Sequence, residues 1–164
     1  MYEPSAKSTV LENETLESAQ YVTFVIGAEV YGVPVLKVQE IIGMTQITHV
    51  PNSLPYMKGV INLRGTVVPV VDMRIKFRME ERAYEVNTVI LIVEVRGINI
   101  GMIVDAVSDV VEIPIKGIQD TPHFSAKIET DFISGIGNRD DQLVIILDVD
   151  RILSQDEVES IERK

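Results

Sequence analysis

The residues with the richest chemistry are few and scattered. Two histidines, His49 and His123, sit in separate proline-containing stretches, and the chain has no cysteine. Without cysteine there is no thiolate nucleophile, thiolate metal site or disulfide framework. The histidines show no zinc-ligand spacing, so they suggest no metal site. Each reads as a surface loop residue. Four aspartates, Asp140, Asp141, Asp148 and Asp150, gather near the C-terminus. A calcium loop would need a turn glycine and a closing glutamate that this stretch lacks. A carboxylate pair here could serve a hydrolase, which would require raised pKa values. The simpler reading of Asp148-x-Asp150 is a helix cap, where carboxylates meet exposed N–H groups. Gly135-Ile136-Gly137 lacks the third glycine and the following helix of a dinucleotide fingerprint, so it reads as hairpin backbone. No phosphate loop or nucleophile elbow is present. Nothing in this inventory points to an enzyme.

One segment carries more than scaffold. Asn62-Leu63-Arg64-Gly65 places an arginine at the tip of an otherwise apolar strand pair. It is either a solvated turn residue or a contact, since arginine offers a planar five-donor fork and is enriched at interface hot spots.

The elements that must position these residues are mostly short strands separated by turn residues, the spacing of sandwiches and barrels. Tyr21–Ile26 alternates, turns at Gly27-Ala28-Glu29, and returns as Val30–Val35. Val60–Leu63 and Thr66–Val71 form a second pair, turned at Arg64-Gly65. Pro69 cannot donate to a ladder, which predicts an edge strand or a bulge there. Val89–Val93 and Leu143–Leu147 are apolar without alternation, which predicts cover on both faces. A short helix is expected over Leu36–Ile42, and a long C-terminal one over Asp148–Lys164 with Ile152, Leu153, Val158 and Ile161 on its apolar face.

The chain also repeats itself once. Gly32 to Ile42 aligns with Gly101 to Val111, and Gly59 to Asp72 echoes Gly135 to Asp148. Two copies predict two similar β lobes sharing apolar surface, because each alone would be marginal. The organisation expected is a mobile polar tail over 1–18 and a β domain over 19–153. Its lobes are expected at about 19–80 and 85–150, with or without exchange of end strands, ahead of the helix over 148–164.

Composition narrows the partners. With 25 acidic against 15 basic residues the net charge is −10. A nucleic-acid binder needs a basic footprint, so no nucleic acid is expected, and no direct contact with an anionic membrane. No stretch reaches the ~18 apolar residues of a membrane span. The N-terminus lacks an export signal, so the expected location is the cytoplasm.

The segment Lys58-Gly59-Val60-Ile61-Asn62-Leu63-Arg64-Gly65-Thr66-Val67-Val68-Pro69-Val70-Val71-Asp72-Met73-Arg74 resembles the signature of the CheW family of chemotaxis coupling proteins. Tyr31-Gly32-Val33, Leu36 to Ile41 and Gly101 to Val110 resemble it too, in the same order, and the likeness runs from about Tyr21 to Leu153. Met73, where the family commonly has leucine, conserves volume. The resemblance implies a mainly β protein of two five-stranded SH3-like barrel lobes packed together. It implies a non-catalytic adaptor without cofactor, bridging chemoreceptors to the histidine kinase CheA at membrane-associated receptor arrays. Receptors would dock as helical hairpin tips in a groove between the lobes. The regulatory domain of CheA would pair lobe to lobe. By motif, Val38 and Arg64 are expected on the receptor side, and Glu40, Ile41 and Gly65 at receptor or kinase contacts. Glu40 and Arg64 are expected to form an ion pair. A CheV-type relative would carry a receiver domain further on, whereas this chain ends at Lys164, which favours a stand-alone coupling protein. The rival readings are a barrel enclosing a small apolar ligand, which requires a lined cavity in place of a filled core, and the hydrolase at Asp140–Asp150.

Overall fold

The computed structural model describes residues 18–119 and 132–162. His123 and nearly all of the N-terminal tail lie outside the described residues. The strands are β1 Ser18–Ile26, β2 Glu29–Pro34, β3 Val38–Gly43, β4 Met57–Leu63, β5 Thr66–Asp72, β6 Val89–Val95, β7 Ile98–Val104, β8 Ala106–Pro114, β9 Ile118–Gln119, β10 Ile133–Arg139 and β11 Gln142–Leu147. Among the described residues three short helices follow: α1 Met73–Lys76, α2 Val149–Ile152 and α3 Gln155–Glu162.

The strands form two sheets, ordered β3-β6-β7-β5-β4 and β8-β1-β2-β11-β10-β9. Each sheet takes a hairpin from one repeat, joined by three strands of the other in the five-stranded sheet and by four in the six-stranded one. Sheet membership therefore does not divide at residues 80–85; β1 and β2 join β8, β10 and β11, while β6 and β7 join β3, β4 and β5. The registers agree with the repeat. Gly32 lies opposite Ile146 in a parallel pairing, and Gly101 lies opposite Val70 in another. Val38 faces Val93 across its ladder as Val107 faces Phe24 across the equivalent one.

Three apolar cores result. One fills the five-stranded lobe with Ile61, Val68, Val70, Ile90, Ile92 and Ile103. A second fills the six-stranded lobe with Tyr21, Val111, Ile113, Val144 and Ile146. The largest lies between the sheets, where Phe24, Val33, Leu91, Val93 and Met102 meet Leu153, Val158 and Ile161. Strand β6 reads as unbroken apolar sequence because Ile90 and Ile92 enter one core while Leu91, Val93 and Val95 enter another. Leu143, at the start of the other unbroken run, is instead exposed, so cover on both faces holds only from Val144 onward.

Several local expectations are corrected. Leu36–Ile42 is not a helix: a 3-10 turn over Val35–Lys37 leads straight into β3. Val38, Ile41 and Ile42 are β-branched and gain more by pairing with β6 than a short isolated helix could supply. Pro69 sits in an interior strand, opposite Val60 of β4, and not at an edge; the irregularity of this ladder lies one pair on, on β4 between Met57 and Gly59. The parallel ladder to β7 starts only at Val70, so the missing N–H falls where no bond is required. The C-terminal helix is broken at Leu153, whose φ of −119° and ψ of 138° are extended. Asp148 caps α2 as expected, accepting from Asp150 N at 3.1 Å. Ser154 and Glu157 then start α3 as a reciprocal capping box: Ser154 N donates to Glu157 at 2.8 Å, and Glu157 N donates to the Ser154 hydroxyl at 3.1 Å.

Candidate docking surface

Arg64 and Gly65 form the whole loop between β4 and β5, since Leu63 and Thr66 already pair. A two-residue loop on right-twisted strands needs positive φ at both positions. Arg64 adopts 50° and Gly65 adopts 88°. The Asn62 side chain holds the turn by accepting from Gly65 N at 2.8 Å. A rigid tip thus presents the arginine to solvent.

Its guanidinium meets Glu40 of β3 in a two-pronged contact, Nη1 to Oε2 at 3.0 Å and Nη2 to Oε1 at 2.6 Å. The hydrogen bonds from Arg64 hold the Glu40 carboxyl below the ordinary glutamate range. Arg64 remains 70% exposed while Glu40 is 32% exposed, so the fork is steered but not shielded. Two large apolar side chains of the same sheet are also exposed, Ile41 at 44% and Val67 at 67%. Val38 is only half-buried and packs against the central core. It anchors the strand as much as it offers a contact. Gly65 is exposed, with open space where a side chain would stand. The structure therefore joins Glu40 of β3 to Arg64 in the β4–β5 turn, with exposed Ile41 following Glu40 in β3, exposed Val67 at the start of β5, and half-buried Val38 at the head of β3.

The repeat places a matching surface on the other lobe, which sequence reasoning left unassigned. Val110 occupies the place of Ile41 and is 51% exposed, and Leu143 occupies that of Val67 and is 57% exposed. The β10–β11 loop is Asp140-Asp141, with φ of 52° and 66°. Asn138 holds it by accepting from Asp141 N at 3.1 Å, as Asn62 holds its own loop. Asp140 stands where Arg64 does, and Asp109 where Glu40 does, so the loop charge is reversed and two carboxylates replace the ion pair, while the apolar pair is kept. The alignment of residues 32–42 with 101–111 already contained the signal, since it sets Ile41 against Val110.

The rival readings meet contrary geometry. Both lobe interiors are filled with side chains. An apolar groove of about 430 Å³ exists, but it runs along outward-facing Val60, Val67 and Pro69 beside Ile161 of α3, not inside a barrel. The Asp150 carboxyl is held low by the Arg96 backbone N–H and then by Lys37, the reverse of a raised general acid. Among the described residues no three His, Asp or Glu side chains cluster as metal ligands, and His49 is exposed.

Residues 20–157 match the family described as the CheW-like domain. The chemotaxis protein CheW of Klebsiella aerogenes is 36% identical over 148 residues, covering 90% of this chain and 89% of that protein. The chemotaxis protein CheW of Helicobacter pylori is 34% identical, covering 94% of this chain and 92% of its own length. The crystal structure of the scaffolding protein CheW from Thermoanaerobacter tengcongensis superposes with a TM-score of 0.78 at 32% identity, covering 85% of this chain and 94% of that one.

Proposed function

The chain belongs to the CheW family, and from that premise we propose that it is a non-catalytic adaptor that couples chemoreceptors to the histidine kinase CheA. Family membership makes it a chemotaxis scaffold protein; the partners and their sites are our reading. The observation that carries it is the rigid turn at Arg64, whose exposed guanidinium is steered by Glu40 in a lobe that also exposes the apolar side chains of Ile41 and Val67. Exposed aliphatic groups and a directed arginine are what a protein partner can desolvate.

An adaptor must hold two things at once, and the two lobes supply two surfaces of like shape and unlike charge. The acidic loop at Asp140-Asp141 and the basic one at Arg64 suit the homologous lobes of the kinase regulatory domain, with one sign of charge selecting which lobe docks where. A receptor hairpin tip would lie in the groove between the lobes, reaching Val38 at its floor and Arg64 at its rim. The complex would sit at the cytoplasmic side of the receptor array. No helix among the described residues is long and apolar enough to cross a membrane, so the array contact proposed is through protein.

The test is reconstitution. CheA should co-sediment with receptor-bearing membranes only when this protein is added, and its autophosphorylation should rise. Recovery of CheA on the membranes that is independent of this protein would overturn the reading.

A further inference from the structure

The chain crosses between the sheets at two equivalent places, after β2 and after β7, and each crossover is clasped by a carboxylate ion pair to the start of a short helix. The carboxylate also accepts the first amide of a hairpin turn. After β7, Asp105 receives Arg74 of α1 through Nε at 2.9 Å and Nη2 at 2.7 Å. It also accepts Gly27 N, in the β1–β2 turn, at 2.8 Å. Before β3, Lys37 meets Asp150 of α2 at 3.1 Å, and Asp150 accepts Arg96 N, in the β6–β7 turn, at 2.9 Å. Gly27 and Arg96 are equivalent in the repeat, as are Arg74 and Asp150. The polarity of the clasp is reversed between them.

Their strengths differ in kind. Arg74 and Asp105 are only 12% and 18% exposed and share a planar two-bond contact. Arg74 gives a third bond to the Glu80 carbonyl, and Asp105 N bonds Val25 O. The crossover there is the single residue Asp105, and β8 pairs with β1 over eight positions. Lys37 and Asp150 are 36% and 42% exposed and joined by one ammonium contact. Their crossover is a three-residue 3-10 turn whose Leu36 is 90% exposed, leading into a strand paired at five positions; β3 and β8 are both sheet edges. A solvated lysine contact is screened and short-lived, whereas a shielded guanidinium fork is neither.

We infer that the crossover into β3 is a releasable joint latched by Lys37–Asp150, while the equivalent crossover into β8 is fixed by Arg74–Asp105. Releasing the latch frees the start of the strand that carries Val38, Glu40 and Ile41, so partner docking and latch opening become linked; that consequence rests on the docking reading above, the latch itself does not.

Native-state amide hydrogen exchange on the full chain, without any partner, tests it. Lys37→Met keeps the aliphatic stem and removes the charge. It should speed exchange of the β3 amides bonded to β6 by about two- to fivefold and leave β8 unchanged. Arg74→Met should instead speed β8. Raising salt from about 0.05 to about 0.5 M on the unaltered protein should accelerate β3 alone, which covers the case of a variant that folds poorly. Equal responses of β3 and β8, or β3 rates that ignore both Lys37→Met and salt, overturn the latch. Failure of partner binding with the exchange pattern intact would instead count against the docking surface.

Discussion

Arg64 and Glu40 belong to opposite edges of one five-stranded sheet, and they meet because the sheet curls until those edges face each other. Glu40 lies on edge strand β3, and Arg64 follows edge strand β4 in its turn to β5. The pair closes the seam of the lobe and sets the angle at which the guanidinium faces outward.

Arg64→Ala should weaken binding to CheA or receptor by about tenfold or more, as loss of an arginine hot spot does, while the melting curve stays in place because the pair is solvent-exposed. Lysine should restore the charge but not the two-pronged geometry, and so rescue binding only in part. A double-mutant cycle with Glu40→Ala measures the coupling by titration calorimetry. Additive losses would show two independent contacts, and unaltered binding by Arg64→Ala would remove the site.

The Arg74–Asp105 clasp should make stability depend on acid. Burial alone would raise the Asp105 carboxyl, but the Arg74 and Gly27 hydrogen bonds outweigh it and hold the group below the ordinary aspartate range. Its stabilisation is therefore full above the unfolded value near about 4 and is lost as pH falls through the lower folded value. Near neutral pH, Arg74→Met should cost about 2 kcal/mol, a fall of about 4–8 °C in melting temperature. The gap between variant and parent should narrow as melts are taken progressively below pH about 4. A gap that is constant with pH would assign the loss to packing.

Ser154→Ala removes one half of the capping box that starts α3. The expected cost is about 1 kcal/mol, concentrated at the C-terminus: amides of α3 should exchange faster while those of β6 hold. The Tyr56 hydroxyl and Lys76 also engage Glu157, so the helix should loosen without leaving the core. A uniform change in exchange over the whole chain would contradict a local cap.

Gly59→Ala should be the most damaging small change in the docking lobe. Gly59 has a φ of 148°, and a Cβ there would collide with the Thr48 carbonyl oxygen and crowd Ile47. Thr48 exchanges two backbone bonds with Val60, each 2.8 Å, so the obstruction is backbone and cannot swing aside. The variant should melt far below the parent or fail to accumulate as soluble protein. Parent-like melting would show that the 45–50 segment is free to move.

Much of this fold was legible because its signals are local or repeated. Alternation in β1, the Asn-x-x-Gly turn at Arg64 and the aspartate cap at Asp148 each depend on a few adjacent residues. The internal repeat exposed the pairing of equivalent segments before any contact was known. What stayed hidden depends on distant partners. Val38 to Gly43 cannot be told from a helix by six residues of sequence, because its choice is made by β6, some fifty residues onward. Pro69 looked like an edge residue, since nothing nearby reveals where the ladder to β7 begins. The Ser154-x-x-Glu157 box was readable but lay inside an apolar period that also suited one long helix. The second docking surface was legible in part: Val110 follows from the alignment, but its exposure does not.

The exchange of hairpins between sheets has a consequence for synthesis. When the ribosome has released residues up to Asp72, neither sheet is complete: β3, β4 and β5 await β6 and β7, and the β1–β2 hairpin awaits β8 and β11. A truncated chain consequently leaves open strand edges that invite aggregation, and no fragment ending near the middle can present even one finished surface. The two surfaces are born together and are lost together. A chain cut short near its middle therefore lacks both surfaces at once, and cannot offer one without the other.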